Sequence, residues 1–541
     1  MLLALVASVG APAIGCGSLP EEGGGGATVD ASVPSNTPAS PTASPAPTPT
    51  PTPTPSPTPS PTTPPVIPQG TSWARESIHP LEWPIPTDLG TIDSQVVIEE
   101  STDAGATWRL VADVALDEQY YRWVMPQVGT SVRARVSFTR TGPSGTVVLR
   151  TIETPDVTLT PSQKKSYVWT KMADSTPFGP RDGAGGIVFN GKMWLIGGWN
   201  GDVFPLISAN DVWSSTDGAS WVLEKANTFL DAATFDTSAD WEGRHFAGYH
   251  TWNGKMWIVG GDVVQGYYQT DVWSSTNGRT WTRTDRHTTT PRMLRDTNPN
   301  SPTYGQMIVF PGFRPVEVAD FGLRTLQITG VFQNKLFVMG GQTIEQFVDP
   351  VWPGVPGKLF NDVWASSDGT AFSRVPTAGT VWSPRCNVGE VVEHQGRMWL
   401  IGGGAYDDPA LNLPRQYSNE VWSTADGATW SKVPDKAPFS PRVWHNVKEF
   451  DGRMWVINGY DGDVVGQGRT GDNLGDVWYS SDGKNWYDAS PPPSYVPRHA
   501  GTAWVYGNAI YVGSGNAFGA DPAMPNQGKW FSDVWRMSPA N

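Results

Sequence analysis

Cysteine is nearly absent from this chain: its 541 residues contain two, Cys16 and Cys386. Cys16 sits in an apolar N-terminal stretch, so Cys386 is alone in the body of the chain. An internal disulfide framework is therefore excluded, as is any Cys-x-x-Cys metal spacing. Charge is sparse too, at 17% of residues, and Lys and Arg form no run. With a net charge of −14, the basic stripe of a nucleic-acid binder is missing, and no nucleic-acid partner is expected. The Ala, Leu, Glu and Lys that long amphipathic helices need are not dominant. No phosphate-cradling loop and no nucleophile–base series stands out. What the chain has instead is 27 Trp, 59 Gly and 49 Pro, the composition of short strands joined by tight turns. Its length calls for more than one domain.

Residues 1–15 are apolar and end in small residues, as in a signal peptide, and are too few to span a bilayer. Ala13-Ile14-Gly15-Cys16 resembles the bacterial lipobox. That resemblance implies cleavage before Cys16, lipidation of its thiol, and membrane attachment; Gly17 at the next position implies the outer membrane or cell surface. Residues 1–16 are thus expected to be a lipoprotein signal with its lipidated cysteine. Residues 17–66 hold a Gly cluster and then a Thr-Pro/Ser-Pro tract, which cannot form a packed core and reads as a disordered linker. At about 3.1 Å per residue such a tract would hold its cargo on the order of 90 Å off a surface.

Residues 67–160 show short alternating strands, with Ser101–Trp108 as a turn between two of them. The pattern resembles an immunoglobulin or fibronectin III-like sandwich, expected to be a spacer or packing module. From residue 161 to 541 the chain repeats. Asp-Val-Trp, or a close variant, recurs at Trp213, Trp273, Trp364, Trp422, Trp478 and Trp535. The intervals are 56 to 60 residues with one of 91, so the third unit carries an insertion near 285–323. An Arg precedes each: Arg181, Arg244, Arg324, Arg385, Arg442 and Arg498. A small doublet such as Gly197-Gly198 follows 16 residues later, 17 after Arg385. Between them lie Asn190-Gly191, Asn253-Gly254 and their equivalents, which suit a two-residue hairpin turn. Asp217-Gly218 and its equivalents, each followed by an aromatic such as Trp221, mark a second hairpin. Two hairpins make a four-stranded unit. The sixth unit ends after its third strand, and Tyr167–Lys171 matches the missing fourth, so the ring is expected to close with that segment.

Arg, Gly-Gly and spaced aromatics in six units resemble the kelch repeat, over about 370 residues. The resemblance implies an all-β fold: a six-bladed kelch-type β-propeller behind the sandwich and the linker. Kelch families include peptide-binding adaptors, sialic acid mutarotases and copper-radical galactose oxidases, and fold alone does not choose among them. Copper chemistry is not expected: Cys386 is the one candidate thiol and lies in no recognisable copper setting. His245, His499 and His445, with Asp182 and Cys386 in the same register, are expected to pack between blades, and His250 likewise. No catalytic residue, metal or cofactor is assigned.

The leading expectation is a surface-displayed monomer that binds a glycan or a protein ligand on the face carrying the loops between second and third strands. The alternatives are a sugar-active enzyme resembling the mutarotase, and a scaffold in an envelope complex. The six Arg are expected to ring the channel mouth, one to three of them free for an anionic ligand. Trp199, Tyr406 and Tyr460 join them as ligand-binding candidates, beside further loop residues (Tyr267, Tyr268, Asp202, Asp262, Asp407, Asp408, Asp461, Asp463). The repeated Trp residues are assigned to the core.

Overall fold

A computed structural model describes residues 67–540. It leaves out 85–93, 201–207, 230–233, 237, 263–267, 285–288, 296–306, 316–319, 345–354, 387–389, 406–415, 462–471 and 519–527. The signal, Cys16 and linker assignments therefore lie outside the described residues, as do Tyr406, Tyr267, Asp202, Asp407, Asp408 and Asp463. The described chain is all-β, with one short 3-10 turn at Leu116–Glu118. None of its helices is long and apolar enough to cross a membrane.

Among the described residues six antiparallel sheets have four strands each. In the first, Gly185–Phe189, Lys192–Ile196, Val212–Ser215 and Val222–Lys225 follow one another outward. The next four repeat this order, beginning at Gly248–Trp252, Ile328–Phe332, Val392–His394 and Asn446–Phe450. The sixth consists of Thr502–Val505, Ile510–Gly513, Val534–Pro539 and, from the front of the repeat region, Tyr167–Ala173. Trp169 sits opposite Met537 and Lys171 opposite Trp535. Pairing the two ends of the repeat region in one sheet covers an edge that would otherwise stay open.

The first strands of the six sheets touch in chain order, and the sixth touches the first. The arrangement is propeller-like: sheets set side by side around an axis lined by their first strands. Backbone bonds tie neighbours there. Gly183 N–H donates to Ala500 O (2.9 Å), Phe246 N–H to Gly183 O (3.0 Å) and Ala500 N–H to Trp444 O (2.8 Å). Large aromatics fill the wedges between sheets, with Trp241, Trp273, Trp382, Trp455, Trp478, Trp486 and Trp504 essentially without exposure. The second hairpin turns share one hydrogen-bond pattern. In the first sheet the Ser215 hydroxyl accepts from Gly218 N–H (2.8 Å), Asp217 accepts from Ala219 and Ser220 N–H (2.8 and 2.7 Å), and Trp221 Nε1 donates to Gly218 O (3.2 Å). The insertion in the third unit contains two paired strands, Thr289–Arg295 and Met307–Pro315.

The N-terminal module holds a six-stranded sheet, including Ser94–Ser101 and Ser131–Gly142, and a two-stranded one, Ile78–Glu82 with Tyr120–Val124. Trp73, Leu81, Trp123, Val136 and Phe138 form its core. It docks on the outer side of the fifth repeat sheet. Ile78 N–H donates to Trp486 O (2.8 Å), Ala74 N–H to Asn485 Oδ1 (2.7 Å) and Trp73 Nε1 to Asp435 (3.0 Å). The Arg122 guanidinium lies 5.1 Å from the Trp478 ring centre.

Candidate functional site

The six arginines anchor each sheet to itself, which corrects the expectation that some would face a ligand. Arg181 pairs with Asp211 (2.6 Å), Arg244 with Asp271 (2.7 Å) and Arg324 with Asp362 (2.7 Å). Arg385 pairs with Glu420 (2.6 Å), Arg442 with Asp476 (2.7 Å) and Arg498 with Asp533 (2.5 Å). Each also donates to the carbonyl of the first doublet residue, from Gly197 O (2.9 Å) in the first sheet to Ser514 O (3.1 Å) in the sixth. The acid in each pair is the first residue of the Asp-Val-Trp element, replaced by Glu in the fourth sheet. The indole of the same element donates to that carboxylate, as Trp213 does to Asp211 (2.8 Å). Five of the guanidinium side chains are at most 2% exposed and that of Arg181 is 11% exposed. Nearly all of their donors are taken up where strand one, strand two and strand three begin or end together, with Arg324 Nε left without a partner, so the ring ties the fold together. The signal was present in the sequence: an acid two residues before each repeated Trp, once per Arg.

Trp199 and Tyr460 are likewise packed. Trp199 is buried, its ring centre 5.6 Å from His245 and 4.9 Å from Trp530. Tyr460 is buried against Trp444 (5.6 Å) and His499 (5.4 Å). One residue beyond each Arg-following position, the chain turns into the left-handed region at Gly183, Phe246, Leu326, Trp444 and Ala500. Phe246 and Trp444 belong to the second and fifth sheets, opposite each other in a cycle of six. Their rings are parallel within 1° at 6.4 Å, in an apolar cluster that includes Leu326 and Ala500. This cluster narrows the axis at this end by bringing rings from opposite sheets together. The alpha carbon of Gly183 cannot carry a side chain there: a Cβ would lie 2.8 Å from His245 Cβ and from the Phe246 ring.

Two of the histidines around this plug, His445 and His499, are uncharged at neutral pH. Burial pulls His445 and His499 down to about 3, with the Arg442 charge adding to the effect at His445. His245 Nδ1 lies 2.6 Å from Asp262, whose other oxygen accepts from Thr325 Oγ1 (2.8 Å). Asp182 has no exposure, and neither of its carboxylate oxygens has a hydrogen-bond partner. Burial pushes it up to about 7, His245 opposing and Asp262 adding to the rise. Among the described residues no three His, Cys, Asp or Glu side chains converge as a metal site.

Below the plug the axis opens. An inner chamber of about 70 Å³ is lined by Gly183, Gly185, Ala500 and Gly501 on one side, and by Tyr249, Gln327, Thr329, Glu390, Asn446 and Lys448 on the other. It shares Tyr249, Glu390 and Lys448 with a chamber of about 320 Å³ whose wall runs on to Thr251, Val331, Glu393, Glu449 and Val505, next to the hairpin turns. Among the described residues the mouth of this cavity lies at the hairpin end; most of the loops on the face expected from the sequence lie outside the described residues. The Lys448 ammonium donates to Glu390. His250 Nε2 is 2.8 Å from Thr329 Oγ1 and its Nδ1 3.9 Å from Glu390. Burial holds His250 down at about 4, so it is uncharged at neutral pH. Sequence reasoning missed these lining residues. The trace they left is polar side chains three to six positions beyond the Arg, as at Gln327, Thr329, Glu390, Asn446 and Lys448, where the first repeat carries Ala184, Gly185, Gly186 and Ile187.

No protein-family profile matches the chain, and no curated protein matches it in sequence. Among solved structures, the one titled "Structure of YjhT" aligns over 67% of this chain and 96% of its own, at 15% identity and a TM-score of 0.44. A likeness at that level carries no argument about function.

Proposed function

We propose that residues 161–541 form a six-bladed kelch-type β-propeller that works as a binding module, carried by an immunoglobulin- or fibronectin III-like domain at 67–160. In this reading the module is tethered to the cell envelope through the linker and a lipidated Cys16, and its ligand is a glycan. The observation that carries the proposal is the axial cavity: it is narrowed at one end by the Phe246–Trp444 cluster, reaches the hairpin turns at the other, and has a polar arc on one wall. Small-molecule sites are concave, few per protein, and hold a small number of placed polar groups. The cavity volume of about 320 Å³ is at the low end of such sites and suits a single sugar ring. We assign binding and no reaction.

Isothermal titration of the full chain with ligands found on a glycan array tests this. Glu390→Gln with Lys448→Met should abolish binding while the protein stays folded by circular dichroism. Unchanged affinity in that double variant would remove the site. Interconversion of sugar anomers by the purified chain would make it an enzyme instead.

A further inference from the structure

We propose that the hairpin turns Asn253-Gly254 and Asn190-Gly191 are sites of spontaneous deamidation, the first the faster, while the fold protects the Asn-Gly steps at Asn277 and Asn458. The reaction needs only water. The Gly backbone nitrogen loses its proton to solvent base and attacks Cγ of the preceding Asn side chain. The side-chain nitrogen takes up a proton and leaves as ammonia, and a five-membered succinimide remains. Water then opens the ring to aspartate or isoaspartate. Asparagine is thermolabile, and a following Gly speeds the attack because no Cβ hinders the close approach of its backbone. By motif the four steps are alike; their surroundings separate them.

Asn253 and Gly254 are both exposed, in the left-handed region at φ of 47° and 68°. Neither the Asn253 side chain nor the Gly254 N–H has a hydrogen-bond partner among the described residues, and nothing lies within 4 Å of a Cβ at Gly254. Electrophile and nucleophile are thus both free. Asn190 and Gly191 are exposed in the same conformation, at 46° and 70°, but Gly191 O accepts from the Tyr506 hydroxyl (2.8 Å), which resists rotation of that peptide. At Asn277 both partners are engaged. Its Oδ1 accepts from Arg279 and Thr280 N–H (2.9 Å each), and its Nδ2 donates to Thr280 Oγ1 (3.0 Å). The Gly278 N–H that would attack donates to Ser275 Oγ (2.8 Å). Asn458 has no exposure, its Nδ2 donates to the Tyr495 hydroxyl (2.7 Å), and Gly459 N–H donates to Arg498 O (3.2 Å). Val188 and Thr251, two residues before the open asparagines, line the larger axial chamber and are themselves joined, Thr251 Oγ1 donating to Val188 O (2.9 Å). Each conversion therefore sets a new carboxylate beside the cavity mouth, whatever the cavity binds.

The test holds the full chain in mildly alkaline buffer and follows amide-to-acid conversion at each step by peptide mass spectrometry. The same chain unfolded in guanidinium gives the intrinsic rate of each step. Asn253 should convert at close to its unfolded rate. Asn190 should be roughly two- to fivefold slower, the worth of one net hydrogen bond, and Tyr506→Phe should remove that lag without altering Asn253. Asn277 should be slower by roughly thirtyfold, the worth of two. Asn458 should stay an amide for as long as the chain is folded. Conversion of Asn277 as fast as Asn253 in the folded chain overturns the inference. So does an Asn253 that keeps its amide while the unfolded reference loses it. An unchanged lag at Asn190 in Tyr506→Phe overturns the ranking of the two open turns.

Discussion

Replacing Arg244 by Met decides whether the repeated arginines hold the fold or the ligand. The side chain has no exposure. It donates to Glu242 O (3.0 Å), Gly260 O (3.0 Å) and both Asp271 oxygens (2.7 and 3.1 Å). Met fills the volume but leaves Asp271 buried with a single donor, Trp273 Nε1 at 2.7 Å. An exposed pair broken this way would cost about 0–1 kcal/mol, but a buried carboxylate stripped of its partner costs about 3–5 kcal/mol. We expect the larger figure, read as a lowered midpoint in urea or guanidinium unfolding of the full chain. Burial by itself raises the Asp271 carboxyl, and the Arg244 charge and hydrogen bonds now hold it below the usual range. Without Arg244 that group should sit above its unfolded value. A folded-state pKa raised in this way gives stability that is present below about pH 4 and lost as pH rises. The deficit of the variant relative to wild type should therefore be smaller at pH 4 than at pH 7. Adding Asp271→Leu should recover much of the loss, since replacing both buried partners by apolar residues is often near neutral. A loss under 1 kcal/mol in Arg244→Met would refute the reasoning. So would lost ligand binding in a variant of undiminished stability, which would return the arginine to the ligand site.

Two further outcomes separate the plug from its surroundings. Gly183→Ala should cost about 1–3 kcal/mol, because its φ of +56° is left-handed and a Cβ would meet His245 and Phe246 at 2.8 Å. Gly191→Ala is the control: its φ is +70° but nothing lies within 4 Å of a Cβ, so it should cost only about 1 kcal/mol in unfolding experiments. Equal losses at the two sites would argue against a packed plug. Asp182→Asn should stabilise the protein above pH 7, because the buried carboxyl, raised to about 7, favours folding below its unfolded value and loses that contribution as pH rises between about 4 and 7. The gain over wild type should shrink toward pH 4; a gain independent of pH would mean that Asp182 is not the group being titrated.

The repeat itself was open to reading before any coordinates. Hairpin turns at Asn190-Gly191 and Asn253-Gly254, the apolar second strands, and the Asp217-Gly218 and Asn277-Gly278 turns ahead of Trp221 and Trp281 each report a local rule of backbone geometry. Local rules survive without knowledge of neighbours. The pairing of Tyr167–Ala173 with Val534–Pro539 was also inferable, because a unit short of one strand at the end matched a spare strand at the front. The N-terminal module was legible as strands but not as a docked body, since its contacts with Asn485 and Trp486 join residues some 400 apart and have no pattern of their own.

The candidate site was not legible in the same way. Chain periodicity put Arg and Asp at one end of each sheet, and nothing local said whether their charges turn toward each other or outward. Coulomb energy in a buried, low-dielectric layer makes that choice, and it depends on how much water the assembled sheets exclude. The axial cavity depends still more on assembly. His250, Thr329 and Lys448 stand on first strands of three different sheets and Glu390 just ahead of a fourth, and at each position a buried or an exposed place would be equally consistent with its neighbours. Linear order specified the units, their turns and their closure. Whether a given polar side chain ends at the axis, in a wedge or on the surface was settled by six first strands converging, because only that convergence determines which side of a strand is left without a packing partner.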